Sequence, residues 1–271
     1  MARLSPTDPT AAQVIATAHA MADAARAACL PWFRATGLTA DNKAAGGFDP
    51  VTQADRAAEQ AMRAVLAELR PDDAIIGEEF GVTPGTSGLT WVLDPVDGTR
   101  AFLAGTPTWG VLIGLADAQG PLFGIIDQPY IGERFWGGLG TAGMRGPQGT
   151  GELQVRGSRP LDDAILFTTF PEVGTAAEGA GFRAVAERVK LVRYGMDCYA
   201  YALLAAGQID LVIEAGLSNY DVQAPIAVIE AAGGIVTDWQ GGPAHEGGRI
   251  LAAAGAAQHA AALAILRAVP A

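Results

Sequence analysis

Residues 91–102 read W-V-L-D-P-V-D-G-T-R-A-F, an apolar run that ends in two aspartates three residues apart, with a proline between them and Gly-Thr directly after. Pro95 disfavours a helical conformation at Asp94 and sets its own φ, so the chain is expected to leave a strand here in a tight turn. In such a turn the carboxylates of Asp94 and Asp97 and the Val96 carbonyl can face one point. That all-oxygen cradle suits a hard cation such as Mg²⁺ better than zinc or copper. Gly98 permits close backbone approach, and the residues from Thr99 onward can open a helix whose free N–H groups hold a phosphate. Taken alone, D-x-x-D-G-T is also compatible with a simple capped turn.

Other acids bear on the choice. A short strand is expected at residues 74–77, before Glu78 and Glu79, and a second at residues 90–93, before Asp94. Successive strand residues face opposite sides, so one of the two glutamates is expected to enter a cleft and the other to support it or meet solvent. Thr52 with Asp55 three positions later has the form of a capping box opening a helix that Pro71 stops, which makes Asp55 a cap on that reading. Asp221, in N-Y-D-V-Q-A-P-I, begins another helix as a cap, a first-turn acid or a ligand. Two like charges about 4 Å apart repel by about 4 kcal/mol at an effective dielectric near 20, so convergence of these carboxylates would demand a metal.

The rest of the chain supplies the frame. Residues 11–28 read as an amphipathic first helix, and Gln13, His19, Asp23 and Arg26 interrupt any signal-peptide core. A polar loop at residues 37–50 carries Lys43. The runs W-G-V-L-I-G-L-A, P-L-F-G-I-I-D-Q-P and E-R-F-W-G-G, separated by turn residues, suggest an antiparallel meander. From about residue 153, short β-rich runs alternate with helical segments at 174–188, 198–206, 221–232 and 256–269. The expected class is α/β: one domain, with an α+β half at about 1–150 and an α/β half at 151–271 sharing a core, and a cleft between them.

Composition excludes several functions. Half of the 271 residues are hydrophobic, with 35 glycines and 16 prolines, as in a folded, turn-rich chain. A formal net charge of −11 without a basic cluster argues against coating nucleic acid or an anionic membrane. Cys29 and Cys198 form no C-x-x-C pair and read as small buried residues, not as a redox or zinc centre. His19, His245 and His259 have no metal-binding spacing and read as structural or surface residues. No apolar run approaches the roughly 18 residues of a membrane span, and a cytoplasmic location is expected. P-loop, G-x-S-x-G and Cys/His nucleophile patterns are all missing from the sequence.

G-E-E-F-G at residues 77–81, W-V-L-D-P-V-D-G-T at 91–99 and the Y-D-V-Q-A-P-I run at 220–226, joined by D-P-V-T-Q-A-D at 49–55, resemble the inositol monophosphatase superfamily in order and spacing across nearly the whole chain. The resemblance implies a layered αβαβα sugar-phosphatase-like fold and a Mg²⁺-dependent phosphomonoesterase, with two or three ions per site, inhibition by Li⁺ and a homodimer. By matching motifs, Glu78, Asp94, Asp97, Asp221 and the Val96 carbonyl would bind metal. Glu78, Thr99 and Asp55 would be catalytic, with Thr99, linked to Asp55, orienting the attacking water. The Gly98 and Thr99 amides would seat the phosphate, and Lys43 falls near a lysine of the family.

Within that superfamily G-F-D-P-V-T-Q-A-D, G-I-I-D-Q-P-Y-I-G-E-R-F-W-G and R-Y-G-M-D-C-Y-A-Y are most similar to the histidinol-phosphate phosphatase branch. Tyr220 stands where the inositol branch has Trp, while Asn219 and Pro225 depart from the histidinol pattern. Histidinol phosphate carries an amine and an imidazole, and Asp197 and Glu214 are the acids proposed to meet them. The plainer reading makes Asp197 a helix cap and Glu214 a surface acid. Two other functions remain compatible: hydrolysis of inositol 1-phosphate or another small phosphomonoester, and a catalytically silent metal-binding regulatory protein.

Overall fold

The computed structural model describes residues 3–42 and 50–270, so Lys43 lies outside the described residues. In chain order the elements of the first half are α1 (Pro9–Cys29), β1 (Ala40–Asn42), β2 (Pro50–Thr52), α2 (Gln53–Leu69), β3 (Ala74–Gly77), β4 (Gly81–Thr83), β5 (Thr90–Asp97), α3 (Thr99–Ala104), β6 (Gly110–Asp117), β7 (Gly120–Gln128), β8 (Glu133–Gly138), β9 (Thr141–Gly146) and β10 (Gly149–Glu152). The second half contains β11 (Ile165–Thr168), α4 (Ala176–Ala186), β12 (Leu191–Tyr194), α5 (Tyr199–Ala205), β13 (Leu211–Leu217), α6 (Asn219–Ala231), β14 (Ile235–Thr237), β15 (Gly248–Ala253) and α7 (Ala256–Leu266).

The meander appears as β6 to β10, part of an eight-stranded sheet of order β10-β9-β8-β7-β6-β5-β3-β4. Helices α1 and α2 pack together and cover it through β5, β6 and β7. On the opposite face α6 lies across β6, β7 and β8 and also meets β14 of a five-stranded sheet of order β12-β11-β13-β15-β14. With α5 beside α6 against β13, and α4 packed on α7 against β15, the layers run αβαβα. Cover on both faces explains why seven of the eight β6 residues are buried, without the alternation of a half-exposed strand.

A track of glycines lets α6 approach the large sheet. Gly114, Gly124 and Gly137 are register partners on β6, β7 and β8. A Cβ at Gly124 would lie 2.3 Å from the Ala224 carbonyl oxygen, and one at Gly137 would lie 2.7 Å from the Val228 Cα. The helix carrying Asp221 therefore sits nearly backbone to sheet, and any larger residue on the track would push it away.

The opening stretch differs from the tight turn expected of it. The chain does not turn away at Pro95: β5 runs through Asp97, with an irregular register against β6 between Asp94 and Asp97. Strands absorb a proline at a bulge, where the missing N–H breaks no ladder bond, and the local bend re-aims side chains. Helix α6 also starts two residues before Asp221, which makes Asp221 its third residue and not its cap.

Candidate active site

The bulge in β5 brings the acids together. Asp94 is buried, and its carboxyl accepts the Val96 N–H at 3.0 Å. Asp97 accepts the backbone N–H of Cys198 at 2.6 Å. Asp221 reaches back from the first turn of α6 to accept the Ser218 N–H at 2.6 Å, which fixes its rotamer as the acidic half of a capping box. One carboxylate oxygen from each of Asp94, Asp97 and Asp221 lies within 4.8 Å of the other two. Glu78, in the turn after β3, hydrogen-bonds to Asp94.

This crowding has an electrostatic signature. Burial first, then the charges of Glu78, Asp97 and Asp221, push the Asp94 carboxyl well above its ordinary range. Asp97 is raised in the same direction by burial and by Asp197 and Asp221. Cys198 is the one thiol at the site, and burial and the Asp97 charge hold it protonated. The available donors are therefore oxygens, and a hard divalent cation fits them: it would neutralise charges that otherwise oppose one another in a poorly solvated place.

Asp55 lies beside this cluster. The Thr52 N–H donates to its Oδ2 at 2.9 Å in the expected capping box, while its Oδ1 faces the Thr99 hydroxyl at 3.3 Å. Thr99 Oγ1 is also 3.1 Å from the Val96 carbonyl. The cap and water-orienting readings of Asp55 are thus compatible, because each uses a different oxygen. Gly98 has φ 84° and precedes the six-residue α3. A side chain there would meet the Asp197 carboxyl at 2.8 Å.

Asp97, Gly98, Thr99, Arg100, Thr169, Asp197, Cys198, Tyr201, Glu214 and Asp221 are among the residues lining one cavity of about 290 Å³. It opens where β5 ends and where the parallel neighbours β11 and β13 end, the usual ligand position for such strands. Glu214 is buried in its wall, not exposed on the surface, and accepts both the N–H (2.9 Å) and the hydroxyl (2.8 Å) of Thr169 on Oε1. Burial raises its carboxyl to about 7 against the lowering effect of those bonds. Asp197 adopts a left-handed backbone, φ 47°, and accepts the Thr108 hydroxyl at 2.6 Å. It lies just before α5, whose cap position is taken by Cys198 with no side-chain cap bond.

The structure thus brings Asp55, Glu78, Asp94, Asp97, Gly98, Thr99, Asp197, Glu214 and Asp221 together, and the backbone N–H of Glu79 bonds to Glu59 at 2.7 Å. Sequence reading missed Thr108, Thr169, Arg100, Cys198 and Tyr201. Thr169 carried a signal, since it directly follows a short apolar strand of the alternating half. Cys198 carried none, because it acts through its backbone N–H.

The inositol monophosphatase family model matches residues 10–271. The bifunctional phosphatase IMPL2 of Arabidopsis thaliana is 40% identical over 83% of this chain, and the match spans 64% of that protein's own length. The histidinol-phosphatase of Streptomyces coelicolor is 35% identical over 88% of this chain and 91% of its own. An inositol monophosphatase from Zymomonas mobilis superposes with a TM-score of 0.84 at 38% identity, covering 96% of this chain and 99% of that one. With its fold and its acidic cavity alike in agreement, the chain belongs to the inositol monophosphatase family and is a phosphoric monoester hydrolase.

Proposed function

We propose that this protein is a Mg²⁺-dependent phosphatase of L-histidinol phosphate that releases L-histidinol and phosphate in histidine biosynthesis. The observation that carries the substrate reading is the cavity lining beside the metal cluster, where Glu214 and Asp197 add two more carboxyls to a space already lined by Asp97 and Asp221. A leaving group with cationic nitrogens is complementary to that wall, whereas a neutral polyol does not need it. The similarity to the Streptomyces coelicolor histidinol-phosphatase supports the same reading.

In this mechanism Glu78, Asp94, Asp97, Asp221 and the Val96 carbonyl would hold the cations. When bound, Mg²⁺ supplies neutralising charge to the phosphoryl oxygens and acidity to a water. The chain's own groups do the rest. Thr99 points its single hydroxyl proton at Asp55 or the Val96 carbonyl, so its lone pairs are free to accept from the attacking water. Asp55 accepts from both Thr52 and Thr99 and draws that proton chain in one direction. The Gly98–Thr99 backbone seats the phosphoryl group. Glu214, held by Thr169, and Asp197, held by Thr108, orient the amine and imidazole of the leaving group.

A second reading, inositol 1-phosphate as substrate, keeps the same chemistry and is supported by the likeness to the Zymomonas mobilis enzyme. Phosphate release from L-histidinol phosphate and inositol 1-phosphate, measured side by side with Mg²⁺ and with excess EDTA, separates the two. A Mg²⁺-dependent preference for histidinol phosphate is expected. Preference for the inositol ester would overturn the substrate reading and leave the metal mechanism standing, and metal binding without release from any ester would favour a silent regulatory protein.

A further inference from the structure

Tyr201 stands on α5 with its ring buried among Phe167, Cys198, Val212 and their neighbours in the core between the two sheets. Its hydroxyl has no hydrogen-bond partner. Buried phenols normally find one, because an unpaired O–H loses its water without compensation. Among the described residues Trp109 and Gln223 also have such an atom, while the buried Arg159 Nε and Asp210 Oδ1 lie 3.0 Å apart as an ion pair. None of those four lines the cavity described above, and Tyr201 does.

Burial first, then the charges of Glu214, Asp97 and Asp221, push the phenol well above its ordinary range. The cavity lining around it holds four carboxyls and one guanidinium, Arg100, which stacks on Phe170 with its Cζ 5.0 Å from the ring centroid. An orphaned O–H at such a wall costs the free protein a hydrogen bond.

We propose that Tyr201 is a specificity-determining residue whose hydroxyl hydrogen-bonds a nitrogen of the leaving group held against Glu214. The inference rests on the histidinol phosphate reading and adds a residue to it. A contact with the phosphoryl end is a different case, since it would serve every phosphomonoester equally. A structural bond is different again, since its loss would weaken the fold.

Tyr201→Phe distinguishes these, because it removes one oxygen and keeps the ring. The expected results are a loss of about 10-fold in kcat/KM for L-histidinol phosphate and a change of less than about 2-fold for inositol 1-phosphate. The ligand-free variant should melt at the same temperature as the wild type or higher, since replacing an unpaired polar group by an apolar one of the same shape costs little. L-Histidinol alone should raise the melting temperature of the wild type more than that of the variant, while inorganic phosphate should protect both equally. Equal losses on both esters, no loss on either, or a lowered melting temperature would overturn the inference. If the wild type prefers histidinol phosphate and Tyr201→Phe keeps that preference, the Tyr201 inference alone fails. If the wild type prefers inositol 1-phosphate and gains nothing from L-histidinol, the substrate reading fails and takes the inference with it.

Discussion

The backbone N–H of Cys198 donates to the carboxylate of Asp97 at 2.6 Å, tying the start of α5 to the end of β5 across 101 positions of sequence. The strap that makes this bond is held at three points. Asp197 takes the Thr108 hydroxyl, its left-handed backbone at φ 47° aims Cys198 inward, and the Cys198 sulfur lies over Gly110, where a Cβ would come within 2.7 Å of it. One acid of the cluster is thereby oriented by a segment far along the chain from the strand that carries it.

Asp94→Asn keeps the size of a buried side chain and removes a charge from the centre of the cluster. Turnover should fall by more than about 10²-fold, because a preorganised electrostatic contribution is lost. Near-normal kcat in folded variant protein would contradict the assignment of Asp94 as a ligand.

The same crowding sets a pH dependence of stability. The Asp94 and Asp97 carboxyls are raised above their ordinary value of 3.8, chiefly by burial and then by neighbouring acids. A folded-state pKa above the unfolded one contributes stability that is complete below the unfolded value and is lost as pH rises through the folded one. Protein stripped with EDTA should therefore melt higher at about pH 5 than at about pH 8, and added Mg²⁺ should raise the melting temperature more at the higher pH. Calorimetry at the two pH values, with and without Mg²⁺, checks both directions.

Glu214 titrates within the working range, at about 7. As pH rises through that value the carboxylate forms, and the KM for a cationic substrate should fall. Glu214→Gln should flatten that change and raise KM for L-histidinol phosphate by about 10-fold at about pH 8, the size expected for a charge-assisted hydrogen bond. An unchanged KM would remove Glu214 from the substrate contacts.

Gly98→Ala places a side chain in the left-handed region at φ 84° and within 2.8 Å of the Asp197 carboxyl. The backbone strain and displaced neighbour should cost about 1–3 kcal/mol in denaturant unfolding and move the phosphate seat, with turnover falling more than about 10-fold. Wild-type stability and rate would mean that the Asp197 strap yields freely.

Away from the site, Arg134 is fully buried between α1 and β7, bonded to Asp127 through Nε and to Asp23 through Nη2 at 2.7 Å. Arg134→Ala leaves the buried Asp127 carboxylate with Arg26 as its remaining charged partner, at 2.8 Å. The variant should lose about 3 kcal/mol in denaturant unfolding. Phosphatase activity below the unfolding transition should be retained, since none of these groups lines the cavity.

The amino-acid sequence by itself determined the local elements and the inventory of donors. The capping box at Thr52 and Asp55, the strand at Ala74–Gly77 and the oxygen-rich run from Asp94 to Asp97 follow from short-range sterics and hydrogen bonding, which act within a few residues. Tertiary structure decided how β5 absorbs Pro95, because the neighbouring strand β6 rewards continuing the ladder and the local sequence cannot weigh that pairing against a turn. It also decided that Asp221 meets Asp94 and Asp97, through glycines on three strands that let α6 approach the sheet. That Glu214 is a buried cavity wall instead of a surface acid, that Cys198 serves through its amide, and that Tyr201 carries an unpaired hydroxyl depend on contacts between residues far apart in the chain. Such contacts leave no pattern in a local run of residues, because burial and pairing belong to the packed molecule and not to the segment.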